Sequence, residues 1–130
     1  ALPIFQQQRV PLIIHNPGQN GKVMKTVSGQ IDLKPTILHL LGKHVEEDIQ
    51  FGTDLFAKKR EDFAVLRDGS FMTDQYIYTE GQCYSKPDGT KVQNNECNNQ
   101  KSIAEEELEK SDQVVYGDLL RFLEPYNLDK

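Results

Sequence analysis

The side chains in this sequence that could hold a metal ion fall in one short stretch. Asp32 and His39 are seven positions apart, which would place them on one face of a helix, and His44 follows. A metal site needs three or four converging ligands and a shell that orients them. The simpler interpretation is that Asp32 caps the helix and His39 packs among apolar neighbours. We therefore assign no metal ligand and no cofactor-binding residue to this sequence.

Two threonines and a histidine are candidates for catalysis or substrate contact. Thr36 and Thr53 carry hydroxyls, but a nucleophilic threonine needs a nearby base, a metal or a lowered pKa, and their neighbours supply none. Bonding to the backbone is the simpler role for both. His15 follows an apolar segment, and the carboxyl ends of strands face the ligand crevice in open α/β sheets. His15 could therefore line a substrate groove, or be an ordinary polar residue that ends a strand.

The elements that would position these side chains begin with a continuous apolar segment, residues 10–14. Such a run is typical of a strand buried on both faces of a sheet. A Pro-Gly turn ends it. Residues 31–41 then predict a short apolar helix, with Asp32 as its N-cap and Gly42 as the residue that stops it.

The second half of the chain predicts a small antiparallel sheet and a long helix. The strand candidates are residues 63–67, 71–73, 76–79, 82–85 and 90–92, with turn signals at Asp68-Gly69 and Pro87-Asp88-Gly89. A helix from about residue 102 to residue 123 follows, with Ser102 and Glu105 as a capping box. Gly117 weakens the interior of this helix, so that a break near it is expected, and Pro125 stops it.

Two further groups in this half have both a functional and a structural interpretation. Tyr76, Tyr78 and Tyr84 could form a surface on which a sugar stacks, although packing between sheet and helix is the simpler role. The acidic residues 105–107 and 109 lie near the start of the long helix, where they favour its macrodipole. A solvated face is the simplest role for them.

Together these elements predict an α+β fold. A remnant strand and helix of an α/β layer is followed by a small antiparallel sheet of three or four strands, packed by a long C-terminal helix. We place the first unit at residues 1–60 and the second at residues 61–130.

The composition argues against several classes of function. The 130 residues carry 15 Lys and Arg against 20 Asp and Glu, and this net charge of −5 disfavours nucleic acid as a partner. No apolar run reaches the roughly 18–20 residues needed to cross a bilayer, and the first residues do not resemble a signal peptide. Cys83 and Cys97 flank a predicted hairpin and could form a disulfide or remain two free thiols.

Five segments of the chain, in this order and spacing, resemble the lipoteichoic acid synthase family. They are RVPLIIHNPG (9–18), GQIDLKPTILHLLG (29–42), QFGTDLF (50–56), AVLRDGSFMT (64–73) and SDQVVYGDLLRF (111–122). The second segment alone is a signature shared across the sulfatase and alkaline phosphatase superfamily. The last segment favours the synthases over related sulfatases and phosphodiesterases.

The resemblance implies the C-terminal segment of an extracellular catalytic domain that is anchored to the membrane of a Gram-positive bacterium. Enzymes of this family transfer glycerol phosphate from phosphatidylglycerol to a growing polymer, with a threonine nucleophile and a manganese or magnesium ion. Their nucleophile and metal ligands, which include an Asp-His pair, precede the segment that matches Arg9, and this chain contains no Asp-His dipeptide. We therefore carry over no catalytic residue and expect a segment that is inactive alone and completes the catalytic domain.

The resemblance also implies an oxidising compartment, which favours the Cys83–Cys97 disulfide. The expected partner is the upstream catalytic domain of the same polypeptide. Without that partner, the apolar residues 10–14 and 31–41 would be exposed, and we expect them to drive formation of a homodimer. The alternatives are a segment of a related sulfatase or phosphodiesterase, or a module that binds the cell envelope.

Overall fold

The computed structural model describes residues 3–43 and 51–122, and it confirms the predicted α+β fold class. The α-helices are α1 (Pro3–Gln7), α2 (Leu33–Leu40) and α3 (Asn98–Tyr116). The strands are β1 (Phe63–Val65), β2 (Phe71–Thr73), β3 (Tyr76–Thr79) and β4 (Gln82–Ser85). Short 3-10 turns occupy Gln30–Asp32, Asn94–Cys97 and Leu119–Phe122. Within the described ranges, no helix is both long enough and apolar enough to cross a bilayer.

The four strands form one antiparallel meander in the order β1-β2-β3-β4. Gly69 has a φ of 84°, so the predicted Asp68-Gly69 turn uses the backbone freedom of glycine. The turn between β3 and β4 places both Glu80 and Gly81 at positive φ, as a two-residue hairpin turn requires, and this turn was not predicted. Of the predicted strand at residues 90–92, only a single bridge between Lys91 and Tyr84 forms.

The core of the second unit lies between the sheet and α3 and is small. Four buried residues form it: Phe71, Cys83, Cys97 and Ala104. Phe71 of β2 stacks on Tyr78 of β3 with ring centroids 5.2 Å apart. Cys83 and Cys97 form a disulfide with Cα atoms 6.0 Å apart, which joins β4 to the residue that precedes α3. A covalent link at the centre of so small a core fixes the helix to the sheet.

Helix α3 is displaced along the sequence from its predicted position. It begins at Asn98 rather than near Ser102, because the 3-10 turn Asn94–Cys97 leads directly into it. Ser102 is inside the helix, where its hydroxyl donates to the Asn98 carbonyl, so the predicted capping box does not form. Gly117 follows the last helical residue, in agreement with the predicted weak point. Residue 123 and Pro125 lie outside the described residues.

The first unit keeps its helix but lacks its strand. Helix α2 ends as predicted, with Gly42 at a φ of 66°. Residues 10–14 form no strand, which corrects that part of the prediction, and the Ile13 side chain is 89% exposed. A strand of a parallel sheet needs neighbouring strands for its backbone hydrogen bonds, and the described part of this chain provides none beside residues 10–14. The boundary between residues 60 and 61 stays a prediction.

We predict that the fold depends strongly on the disulfide. Replacing both cysteines, Cys83→Ala with Cys97→Ala, should lower the free energy of unfolding by about 3 kcal/mol, because the bond closes a loop across a sequence separation of 14. Urea unfolding followed by circular dichroism measures this. A reductant should destabilise the wild-type chain similarly and leave the double variant unchanged. A double variant as stable as the oxidised wild type would contradict the prediction.

Candidate functional site

Asp32 is the centre of a buried hydrogen-bond network rather than a helix cap. Its carboxylate accepts the backbone N–H groups of Gly29 at 3.0 Å and Thr53 at 2.7 Å, and it makes no capping bond to α2. The backbone of Asp32 is already helical, since this residue ends the 3-10 turn Gln30–Asp32, whereas a capping residue is typically extended. The carboxylate therefore bonds Gly29, which precedes the 3-10 turn, and the loop that follows α2, rather than the first turn of α2.

Arg60 balances the charge of Asp32 inside the same network. Its side chain is buried, with one Nη 3.5 Å from the Asp32 carboxylate and 2.7 Å from the Val27 carbonyl. Its Nε lies 3.4 Å from Asp62, whose carboxylate also accepts the N–H of Val27 at 3.0 Å. The guanidinium thus joins residues 27–32 to residues 60–62, and these bonds cross the predicted unit boundary.

The Thr36 hydroxyl bonds to the backbone, as expected of a structural residue, whereas Thr53 bonds to side chains through its own backbone groups. The buried Thr36 hydroxyl donates to the Asp32 carbonyl at 2.6 Å and accepts the N–H of Leu55 at 3.0 Å. Thr53 contributes its N–H to Asp32. The Thr36 bonds hold α2 against the loop of residues 51–56. Neither hydroxyl is bonded to a histidine or carboxylate side chain that could activate it, among the residues that the structure describes.

Gly52 allows the loop to approach the start of α2. It has a φ of 77°, and a Cβ atom at this position would lie 2.4 Å from the Ile31 carbonyl oxygen. Both the backbone conformation and the space exclude a side chain. The Gly-Thr-Asp segment therefore has a structural role, since its glycine lets the loop backbone contact the backbone of residues 31 and 32.

The structure does not bring the candidate metal ligands together. His39 is half exposed and bonds through Nδ1 to Asp54, with its ring at the edge of Phe56, while Asp32 bonds elsewhere. The sequence predicts that His39 packs among apolar neighbours. Its ring does contact Phe56 and bonds to Asp54, but it remains half exposed because it lies against the loop after α2 rather than in a core. His44 lies outside the described residues. Within residues 3–43 and 51–122, no three His, Cys, Asp or Glu side chains form a metal site.

His15 is exposed and follows the extended residues 10–14. It lines neither of the two surface depressions described below. A role in lining a substrate groove would need surfaces from another part of a longer protein, and it stays a prediction.

An open depression of about 840 Å³ lies beside the disulfide, at the outer side of β4. Seven residues line it: Tyr76, Gln82, Lys91, Val92, Gln93, Asn94 and Glu96. The Tyr76 hydroxyl donates to Glu96 at 3.1 Å, and this hydrogen bond and the negative charge of Glu96 raise the pKa of Tyr76. Because the folded-state pKa is raised, this bond stabilises the fold below the ordinary tyrosine pKa and is lost as the pH rises through the raised value.

Most of the acidic residues of α3 face solvent, as expected. They do not lie near its start, which corrects the macrodipole role, because α3 begins at Asn98 and its first turn holds no acidic residue. Glu106 pairs with Lys110 at 2.6 Å, and this partner lowers the pKa of Glu106. A second, smaller depression lies along this helix between Glu105 and Tyr116. Asp112 in that depression is paired with Arg67, which follows β1.

The buried Asp32–Arg60 pair should be far more important for stability than any exposed pair. Asp32→Ala leaves two backbone N–H groups and a buried guanidinium without their acceptor, so we expect a loss of about 3 kcal/mol in the free energy of unfolding. The control is Asp118→Asn, which removes a charge from an exposed pair with Arg121 and should change stability by less than about 0.5 kcal/mol. Equal losses in urea unfolding would refute a special role for Asp32.

Substituting two glycines at positive φ distinguishes the cost of backbone strain from the cost of a steric clash. Gly69→Ala adds a Cβ with no atom within 4 Å and should cost about 1 kcal/mol of stability from the backbone conformation alone. Gly52→Ala adds a similar strain and also the 2.4 Å contact with Ile31, so it should cost at least about twice as much. Thermal unfolding of the two variants side by side tests this order, and a smaller effect at Gly52 would be inconsistent with the geometry.

The known proteins most informative about this chain are lipoteichoic acid synthases. It is 48% identical over 123 residues to lipoteichoic acid synthase-like YvgJ and 44% identical over 118 residues to lipoteichoic acid synthase 1, both of Bacillus subtilis. It is 39% identical over 108 residues to lipoteichoic acid synthase of Staphylococcus aureus.

These alignments cover 92%, 90% and 82% of this chain but only 20%, 18% and 17% of the three relatives. The chain therefore spans about a fifth of the length of the curated relatives that it matches. No family model matches it. Along nearly its whole length, this chain is therefore homologous to one segment of the lipoteichoic acid synthases.

Proposed function

We propose that this chain is the C-terminal part of the catalytic domain of a polyglycerol-phosphate synthase, which transfers glycerol phosphate from phosphatidylglycerol. Its role there is structural, since it completes the domain and supplies no catalytic residue. The observation that carries this proposal is an apolar surface beside a rigid polar network. Asp32, Thr36 and Arg60 are bonded within the chain, whereas many apolar side chains of residues 10–14 and α2 are exposed.

Two exposed apolar segments, residues 10–14 and the outer side of α2 with Leu41, are together called the apolar surface here. Its exposed members are Val10, Leu12, Ile13, Ile14, Ile37, Leu40 and Leu41. Leu41, which directly follows the last residue of α2, is 67% exposed. Large exposed apolar side chains of this kind are typical of a surface that another part of a protein covers. The upstream domain of the same polypeptide is the partner that we propose.

The polar network keeps this surface in a fixed orientation. Asp32 and Thr36 bond the start of α2 to the loop of residues 53–55, and Arg60 joins that loop to residue 27. The helix is therefore held on one side by buried hydrogen bonds, which leaves Ile37 and Leu41 pointing away from them into solvent. A preformed surface of this kind lowers the entropic cost of docking.

The donor groups of the described residues do not fit the manganese or magnesium ion that the family implies. These ions prefer several oxygen ligands in one place. Asp32 is committed to two N–H groups and to Arg60, and Asp54 is committed to His39 and to the N–H of Phe56. We therefore derive no step through a metal, and place the metal and the nucleophile of the whole enzyme in its upstream part.

The disulfide supports a location outside the cytoplasm for the proposed parent. Disulfides form and persist in oxidising compartments, and the Cys83–Cys97 bond lies in the core of the second unit. We propose that the parent acts at the outer face of the cell membrane, with an anchor supplied by other parts of the polypeptide.

The first test is turnover by the 130-residue chain itself. With manganese and a fluorescent phosphatidylglycerol, the chain alone should release no diacylglycerol, whereas the longer parent protein should release it in the same assay. Clear manganese-dependent turnover by the chain alone would refute the structural role.

The second test uses two apolar residues of equal exposure on different elements. Leu41→Glu and Val115→Glu both replace a side chain that is 67% exposed, so each should change the stability of the chain by less than about 0.5 kcal/mol. We propose that the chain alone forms a homodimer through the apolar surface, so light scattering should show Leu41→Glu as more monomeric than the wild type. In the parent protein, Leu41→Glu should lower the melting temperature by several degrees, because the charge is buried there.

Val115→Glu is the control in both proteins. It should leave the dimer and the parent's melting temperature close to those of the wild type. Identical behaviour of the two variants, or a monomeric wild-type chain at high concentration, would contradict the proposed surface.

A further inference from the structure

We propose that the depression beside the disulfide, lined by Tyr76, Lys91, Gln93 and Glu96 among others, binds an uncharged polyhydroxylated ligand, either a glycosyl unit or a linear polyol. The proposal does not depend on the proposed function, because it rests on the second unit alone. It concerns a surface that is separate from the apolar surface of α2. It rests on two observations. Hydrogen bonds fix the backbone around the depression, which is called the frame below, and several polar side-chain groups that line the depression take no part in those bonds.

The frame of the depression is fixed by side-chain amides. The Gln82 amide donates to the carbonyls of Cys83 and Val92 at 3.0 and 2.9 Å. The Asn94 amide accepts the N–H of Cys83 at 3.0 Å and donates to the Gly81 carbonyl at 3.1 Å. These bonds tie residues 92–94 to β4, and the disulfide at Cys97 secures the next turn. Ligand binding should therefore cost little conformational entropy in the protein, because these segments are already ordered.

The groups that the frame leaves available are matched to hydroxyls. Within the described part of the chain, no hydrogen bond or ion pair involves the Lys91 ammonium or the Gln93 amide. Glu96 uses one carboxylate oxygen for Tyr76, so its other oxygen remains an acceptor. Each hydroxyl of a sugar or polyol both donates and accepts, and a mixed set of donors and acceptors satisfies it.

Charge favours an uncharged ligand over an anion. The positive charge of Lys91 is opposed by Glu96 in the same depression, and the whole chain has a net charge of −5. A phosphate-rich ligand would meet repulsion rather than a cationic site. The half-buried Tyr76 ring adds an apolar face beside these polar groups. An aromatic face next to a carboxylate and an amide suits the alternating C–H and O–H groups of a sugar.

The structure also separates Tyr76 from the other candidate tyrosines. Tyr78 stacks on Phe71 of the core, and Lys101 lies 5.8 Å from its ring centroid, so its role is packing. Tyr84 pairs with Ile77 and bridges to Lys91 through the backbone, and it does not line the depression. The three tyrosines therefore do not form one surface on which a sugar could stack. Of the three, only Tyr76 lines the proposed binding site.

The test is a titration of the 15N-labelled 130-residue chain with maltotriose and, separately, with sorbitol. Saturable shifts of the amide signals should be confined to residues 76, 82 and 91–96. Shifts with maltotriose alone identify a glycosyl site, and shifts with sorbitol identify a site for linear polyols. The absence of saturable shifts with both compounds overturns the proposal.

Matched variants decide whether the side chains named here bind the ligand. Gln93→Ala removes an amide, and Glu96→Gln replaces a charged acceptor oxygen with an amide donor, so each should weaken binding by about fivefold to tenfold. Gln113→Ala is the control, because it removes an exposed amide from α3, outside the depression. The amide spectra of all three variants should otherwise match that of the wild type. Binding that is unchanged by Gln93→Ala and Glu96→Gln would overturn the assignment even if the wild type binds.

Discussion

The buried contact between Asp32 and Arg60 is the interaction on which the first half of the structure depends. Two backbone N–H groups and one guanidinium converge on a single carboxylate, and the same guanidinium extends to Val27 and Asp62. Burying a charge is costly unless it is paired and hydrogen-bonded, so removal of one member leaves the others uncompensated. This network, rather than an apolar core, holds α2 to the loops around it.

The second half is organised by a different constraint. Its sheet has strands of three or four residues, and its core is centred on Phe71, the disulfide and Ala104. A core of this size contributes little hydrophobic stabilisation, so a covalent bond between β4 and the start of α3 becomes important. Arg67 adds an exposed ion pair to Asp112 on the same helix, which contributes much less.

The two halves suggest a division of roles within the proposed parent. The first half presents apolar side chains next to a rigid polar network, which suits a surface that another domain covers. The second half contains its own disulfide and carries an open depression at the outer side of β4. Thr36 and Asp32, which are residue types common in active sites, have structural roles here, because each bonds to backbone groups of a neighbouring segment.

The sequence by itself determined the elements whose signals are local. The apolar segment stopped by Gly42 located α2, and the turn signal Asp68-Gly69 located a hairpin between strand candidates, because each pattern acts within a few positions. Only the tertiary structure decided the hydrogen-bonding role of Asp32. Its partners Thr53 and Arg60 are distant in the sequence, and no local pattern around Asp32 predicts them. It also decided that residues 10–14 remain exposed, because a strand forms only where neighbouring strands supply its hydrogen bonds.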